Sequence, residues 1–341
     1  MMPSKDDRLE MYSRSLALRD FGMEDLEALE KTTITVIGAG GLGCPALRLL
    51  TAIGFGKIRI IDHDIVELSN LQRQTVYNYE DIGSPKVDAA ATNLTKQNPF
   101  VEFEPVAMSI TNENALELLR TTDIILDGLD SMTARRAVNR ASYSLKVPYI
   151  YAGALEYYAN ISTFIPDETG CLYCLVGDVP DNPENTCATV GVFPPLLSVV
   201  AAIEVREAVL LATGRRPKLA SRLMHVDLEN LGFDTFEIAR SPRCPVCSSE
   251  APIPTEEEST LNITMMCTNS FSISPARSLS LDLAKISARA TESYRVITRK
   301  TSLIVRSTSG ASLTLMSTGA AVVKGVADRD EAVSFYHAVV R

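Results

Sequence analysis

Four cysteines stand in two pairs, Cys171-x-x-Cys174 and Cys244-x-x-Cys247. One such pair suits a redox dithiol, but two pairs on either side of a helix supply four thiolates, enough for a closed tetrahedral Zn2+ site. A closed site leaves no ligand position for water, so the zinc is expected to be structural. A second constellation lies nearer the start. Gly38-Ala39-Gly40-Gly41-Leu42-Gly43 follows an apolar run and opens a helical stretch. Glycines let backbone N–H groups approach phosphate, and a helix N-terminus adds partial positive charge. Asp62 falls about 20 residues on, where a carboxylate can bond a ribose hydroxyl. These features point to a nucleotide without separating NAD from ATP, and a lone glycine loop also fits a structural turn.

The next segment separates them. Asp62-His63-Asp64-Ile65-Val66-Glu67-Leu68-Ser69-Asn70-Leu71-Gln72-Arg73-Gln74 is dense in polar groups, and Lys86 follows in Gly83-Ser84-Pro85-Lys86. Displacement at a triphosphate builds negative charge that Arg73 and Lys86 can offset, a need that a dehydrogenase does not have. A solvated charged loop is the plainer alternative. Asp127 and Asp130 lie just past an apolar run, where a carboxylate can hold Mg2+ beside phosphates. Asp130 also fits as a helix N-cap.

These residues need a scaffold. Thr33–Ile37, Lys57–Ile61, Val101–Val106, Asp123–Asp127 and Val147–Ala152 read as strands, most of them short, apolar and rich in β-branched residues. Helical patterns at Cys44–Ile53, Asp88–Lys96, Ala115–Arg120 and Ala134–Leu145 alternate with them. That order predicts an α/β fold with a Rossmann-like, doubly wound, mostly parallel sheet. Residues 6–30 read as helical. Residues 160–187 read as a loop-rich excursion, followed by an apolar helix over Leu196–Ala212 and strands at Arg222–Val226 and Phe233–Ile238. Residues 1–250 are then expected to form an ATP-binding adenylation domain with the zinc site and a cysteine-bearing crossover loop, 251–262 a linker, and 263–341 a small α+β tail. The tail reads as strand, helix, two strand-like runs (Tyr294–Arg306 and Ala311–Val326) and a closing helix.

The chain of 341 residues carries a net charge of −9, which argues against nucleic acid as main partner. Residues 276–341 hold ten Lys/Arg against five Asp/Glu, an asymmetry that marks the tail as a separate unit with a possible docking role. Met1–Asp7 carries no apolar stretch and predicts no signal peptide. The apolar run Val190–Ile203 is cut by Pro194 and Pro195 and is too short to span a bilayer. A cytoplasmic protein without membrane or nucleic-acid contacts is expected.

Met11-Tyr12-Ser13-Arg14, the Gly38–Gly43 loop, Asp62 through Gln74, Gly83–Lys86, Asp127-Gly128-Leu129-Asp130 and the cysteine pairs together resemble the ubiquitin-activating, MoeB/ThiF/HesA superfamily of adenylyltransferases. The resemblance covers about residues 8–250. It implies condensation of ATP with the C-terminal glycine carboxylate of a small β-grasp protein, a ubiquitin-like modifier or sulfur carrier, with release of pyrophosphate. It implies that Asp62 holds the ribose, that Ser69, Asn70, Arg73 and Lys86 lie along the phosphates, and that Asp130 serves Mg2+. Arg14 resembles an arginine that reaches into a partner protomer's site, which implies a homodimer. Cys187 matches a cysteine that attacks the acyl-adenylate or joins sulfur transfer. Ser131 stands where the family usually has asparagine, and Ser15 where it usually has glutamine. Cys44, Cys267, His63, His225 and His337 read as structural. The competing readings are an NAD-dependent oxidoreductase on the same loop, a non-catalytic Rossmann scaffold, and a family member acting on a transfer-RNA adenosine.

Overall fold

The computed structural model describes residues 4–182, 184, 189–248, 261–266 and 270–340. Two helices, α1 (Lys5–Leu16) and α2 (Met23–Lys31), replace the single predicted helical stretch. Gly22 caps α2, and the Asp25 carboxylate accepts from the Gly22 N–H at 2.8 Å, while Phe21 turns into the core. The predicted alternation then follows in order: β1 (Thr33–Ile37), α3 (Gly43–Ile53), β2 (Lys57–Ile61), α4 (Lys86–Gln97), β3 (Glu102–Val106), α5 (Ala115–Leu119), β4 (Ile124–Asp127), α6 (Met132–Leu145) and β5 (Tyr149–Leu155). These five strands are parallel, and β1 and β4 are buried because the sheet is covered on both faces.

The stretch 160–187 is less irregular than its prolines suggest. β6 (Tyr158–Phe164) returns antiparallel beside β5, and α7 (Leu172–Val176) follows. Burial in β6 alternates only over Tyr158–Ile161, and Ser162, Thr163 and Phe164 are all buried, so polar residues such as Asn160 and Ser162 leave no strand pattern in the sequence. α8 (Pro194–Ala212), β7 (Arg222–Asp227) and β8 (Gly232–Glu237) complete an eight-stranded sheet in the order β3-β2-β1-β4-β5-β6-β7-β8. The chain adds β2 and β3 on one side of β1, then crosses to add β4 and β5 on the other. The carboxyl ends of β1 and β4 therefore form the topological switch point, where open α/β sheets bind ligands.

The tail is a six-stranded antiparallel sheet, not three runs. It comprises β9 (Leu261–Met266), β10 (Ser270–Pro275), β11 (Arg295–Thr298), β12 (Ser302–Arg306), β13 (Ser312–Met316) and β14 (Ala321–Lys324), with α9 (Leu283–Ala290) and α10 (Arg329–Val340). Each long run is a hairpin, turned at Lys300-Thr301 and at Gly319 (φ +87°). One face, with Phe271, Ile273, Leu313 and Val323, packs under the two helices. The other face, with Met316, Ala320 and Val322, joins the core of the main domain. The tail has its own core but is docked. Residues 251–260 of the predicted linker lie outside the described residues, as do Cys187 and Cys267, while Leu261 and Asn262, expected in the linker, already belong to β9.

Candidate active site

Glycines make the switch point possible. A Cβ on Gly43 would stand 1.8 Å from the Gly38 carbonyl oxygen, and one on Gly38 would stand 2.3 Å from the Gly128 carbonyl oxygen. No side chain fits these gaps, so the ends of β1 and β4 touch through bare backbone. Gly40 differs, because a Cβ there meets nothing nearer than Gln74 Nε2 at 3.9 Å. The room beside Gly40 is space for a ligand. The Gly38 N–H donates to Ile61 O (2.8 Å) and the Ala39 N–H to Asp62 Oδ2 (2.8 Å). No described residue accepts from the N–H groups of Gly40, Gly41 or Leu42, which crowd the start of α3. That arrangement is an anion cradle.

Asp62 does more than the sequence implies. Its second oxygen accepts from the Asp64 N–H at 2.7 Å, so it fixes the loop on both sides while keeping lone pairs for a hydroxyl. Lys86 comes in through a local pairing: Ile65 bridges Pro85, and the Lys86 N–H donates to Asp64 O at 2.9 Å. Lys86 Nζ then lies 2.6 Å from Asp64 Oδ2, with the lysine side chain 7% exposed. Burial alone would lower the Lys86 pKa, but Asp64 and Asp62 outweigh it and hold the ammonium above the ordinary lysine range. Likewise burial would raise Asp64, but Lys86 and His63 hold it below the usual aspartate range. Asp64 is the lysine's buried counter-ion, which spacing alone could not show because the pairing across 65 and 85 arises only on folding.

Asn70 is buried and its Oδ1 accepts from the Glu67 N–H at 3.0 Å, closing a short 3-10 turn over Leu68–Asn70. The Ser69 carbonyl accepts from Arg73 Nη1 at 3.1 Å, and the Arg73 Nε would lie 3.6 Å from a Cβ on Gly41. Arg73 is thereby aimed across the glycine loop. Gln74, 3% exposed, leaves its Oε1 without a partner among the described residues beside the same loop.

On the β4 side the structure corrects two expectations. Asp127 does not face the ligand: it is the last residue of β4, fully buried, bonded to Arg135 Nε at 3.0 Å and to the Tyr149 hydroxyl. Nor is Asp130 the N-cap of α6. Ser131 is, its Oγ accepting from the Ala134 N–H at 3.3 Å. Asp130 is exposed, and its carboxylate makes no hydrogen bond or ion pair among the described residues, so its oxygens are free to take a cation. The sequence reading missed Asp181. Its carboxylate accepts from the Met132 N–H (2.5 Å), the Thr133 N–H (3.2 Å) and hydroxyl (2.5 Å), and the Ser131 hydroxyl (3.3 Å). It thus ties the excursion to the first turn of α6. Arg14, in the last turn of α1, is exposed and makes no hydrogen bond or ion pair among the described residues.

The four cysteines converge as their spacing predicts, their sulfurs all within 4.8 Å of one another. Cys171 Sγ lies 3.6 Å from Cys244 Sγ, and Cys174 Sγ 3.4 Å from Cys247 Sγ. A tetrahedron with 2.3 Å metal–sulfur bonds has edges of about 3.8 Å, so the set suits a metal site of four thiolates. The Ser241 and Val246 N–H groups donate to Cys174 Sγ and Cys244 Sγ, both at 3.4 Å, which favours thiolates.

Comparison with known proteins agrees with this geometry. The ThiF family model matches residues 12–246. A sulfur carrier protein adenylyltransferase from Thermus thermophilus is 36% identical over 258 residues, covering 74% of this chain and 94% of that protein. A SAMP-activating enzyme E1 from Haloferax volcanii is 33% identical, covering 70% and 89%. A molybdopterin-synthase adenylyltransferase from Escherichia coli is 31% identical, covering 72% and 99%. Among solved structures, E. coli MccB with ATP superposes with a TM-score of 0.62 at 24% identity, covering 70% and 74%, a likeness of fold.

Proposed function

The chain belongs to the ThiF family, and on that premise we propose that it uses ATP to adenylate the C-terminal glycine carboxylate of a small ubiquitin-like or sulfur-carrier protein. One observation carries this reading: at one switch point lie the N–H groups of Gly40, Gly41 and Leu42, from which no described residue accepts, the Arg73 guanidinium beside Gly41 and the buried Lys86 ammonium, with Asp130, whose carboxylate bonds no described residue, past the end of β4. Such a site matches a triphosphate better than a dinucleotide, whose pyrophosphate needs far less charge. The relatives' names point the same way, since one is a sulfur carrier protein adenylyltransferase and another a SAMP-activating enzyme E1.

In this reading Asp62 accepts from the ribose, while Asn70, Arg73 and Lys86 line the phosphates. The substrate carboxylate attacks the α-phosphorus, the bond to the bridging oxygen breaks, and pyrophosphate leaves with its charge offset by Arg73 and Lys86. Asp130 would hold Mg2+, which supplies further positive charge at the phosphates. Cys171, Cys174, Cys244 and Cys247 would hold structural Zn2+. Arg14 of a second copy completes the site, which makes the working unit a homodimer. Cys187 takes the acyl group as a thioester when its thiolate attacks the acyl carbon and AMP departs.

Tyr157 and Phe193, exposed and with ring centroids 5.1 Å apart beside the antiparallel end of the sheet, suit the body of the carrier protein. A cytoplasmic setting would keep the cysteines reduced. The test is ATP–pyrophosphate exchange with candidate carriers ending in Gly-Gly. Exchange that depends on carrier and is lost in Asp130→Ala supports the reading. No exchange with any such carrier overturns it.

A further inference from the structure

The tail lies beyond the family match, which ends at residue 246, yet it reaches back to the segments that bear the phosphate-binding side chains. Arg299, in the turn between β11 and β12, donates from Nη1 to Ser84 Oγ and from Nη2 to Ile82 O (3.1 Å). Two residues on, the Thr301 hydroxyl donates to Asp88 Oδ2 at 2.5 Å, in the first turn of α4. These bonds flank Lys86. A third contact comes from β14, where Lys324 Nζ forms an ion pair with Glu67, the residue that caps the 3-10 turn ending at Asn70. A fourth fixes the tail itself, the Thr318 hydroxyl donating to Ala107 O at 2.6 Å.

The segments so held need support. Residues 62–85 contain no helix longer than three residues and are joined mostly by local turns, with Val66 N–H to Ser84 O (2.9 Å) and Gly83 N–H to Val66 O (2.8 Å) closing the loop. Such turns open locally at lower free energy than the long helices and central strands, even where side chains such as Val66 and Tyr77 are buried. A loop that opens lowers apparent ligand affinity by the fraction of time it is not competent. We propose that the C-terminal sheet is a cis-acting clamp in which Arg299, Thr301 and Lys324 are positioning residues. They hold the segment around Lys86 and the Glu67–Asn70 turn in nucleotide-binding geometry before ATP arrives. This inference rests on the ATP reading, but its mechanical part does not need activity to be tested.

The experiment uses the full chain. In Arg299→Ala and in Lys324→Ala, backbone hydrogen exchange of peptides covering 66–88 should accelerate about tenfold without nucleotide, while β1 and α3 keep their protection. With carrier protein, KM for ATP should rise about three- to tenfold, kcat staying within about twofold. Glu67→Lys should weaken ATP binding like Lys324→Ala, and the paired exchange Glu67→Lys/Lys324→Glu should recover part of the loss. A variant that misfolds is replaced by Arg299→Lys, which keeps one donor and should show a smaller change in the same direction. Unchanged exchange over 66–88 in folded variants overturns the clamp, as does an unchanged KM in a protein shown to adenylate. Absence of adenylation in the unaltered protein overturns the ATP reading alone and leaves the exchange result to decide the clamp.

Discussion

Replacing Lys86 by methionine tests the site at its most buried charge. Methionine keeps the length and apolar stem of the side chain and removes the ammonium that lies 2.6 Å from Asp64 Oδ2. Asp64 is 18% exposed and then has no cation facing it at that distance. Breaking a buried pair from one side costs about 3–5 kcal/mol, chiefly the penalty of the carboxylate left behind. At roughly 2 °C per kcal/mol for a chain of this size, Tm should fall by about 6–10 °C. The pH dependence should change sign. In the unaltered protein Asp64 is held below its ordinary value, so its contribution is present above that value and is lost as pH falls through the lowered one. Without Lys86 burial dominates and lifts Asp64, so its contribution is present in acid and lost as pH rises. The double variant Lys86→Met/Asp64→Asn should recover most of the Tm and none of the adenylation, which loses about 100- to 1,000-fold with the lysine charge. Thermal melts across pH 4–8 beside pyrophosphate exchange decide the matter. A single variant as stable as the parent at every pH would refute the burial of the pair, and recovered activity in the double variant would refute the role of the ammonium.

Glu204, inside α8, is fully buried and neither carboxyl oxygen has a partner among the described residues, and burial, then Asp127, lift it well above the ordinary glutamate range. Its contribution to stability is present in acid and lost as pH rises through the raised value, so Glu204→Gln should flatten the loss of Tm between pH 5 and 8, read by calorimetry. Gly43→Ala forces a Cβ to 1.8 Å from Gly38 O and should cost about 2–3 kcal/mol or more in denaturant melts, whereas Gly40→Ala should leave Tm unchanged and weaken nucleotide binding by titration calorimetry. Chelation should release one zinc per chain, measured by elemental mass spectrometry, and lower Tm, and Cys171→Ser should bind none.

The parallel half of the fold was legible because its strands are short apolar runs separated by helices, a pattern with a fixed period. The antiparallel half was less so. β6 puts Asn160 and Ser162 at half-buried and buried positions, and polar residues there erase the alternation that marks a strand. In the tail, hairpins turned at Thr301 and Gly319 read as unbroken runs, because two apolar strands with a short turn leave little polar gap. The four cysteines converge as their spacing predicts, and local sequence alone sets Gly38, Gly43 and Asp62 at the ends of β1 and β2 and the start of α3. Residues whose role depends on distant partners did not show: Asp64 needs Pro85's neighbour, Asp181 needs α6, and Arg135 needs the end of β4. Asp127 misled because a carboxylate at a strand's end faces the ligand or the core according to its register, and here Arg135 and Tyr149 draw it inward.

The backbone contact among Gly38, Gly43 and Gly128 has a mechanical consequence. With no side chain between them, the ends of two strands and the start of α3 cannot slide past each other without atoms overlapping. The spacing between the ends of β1 and β4 and the start of α3 is therefore set by backbone contact. Such a joint works like the fixed jaw of a vice.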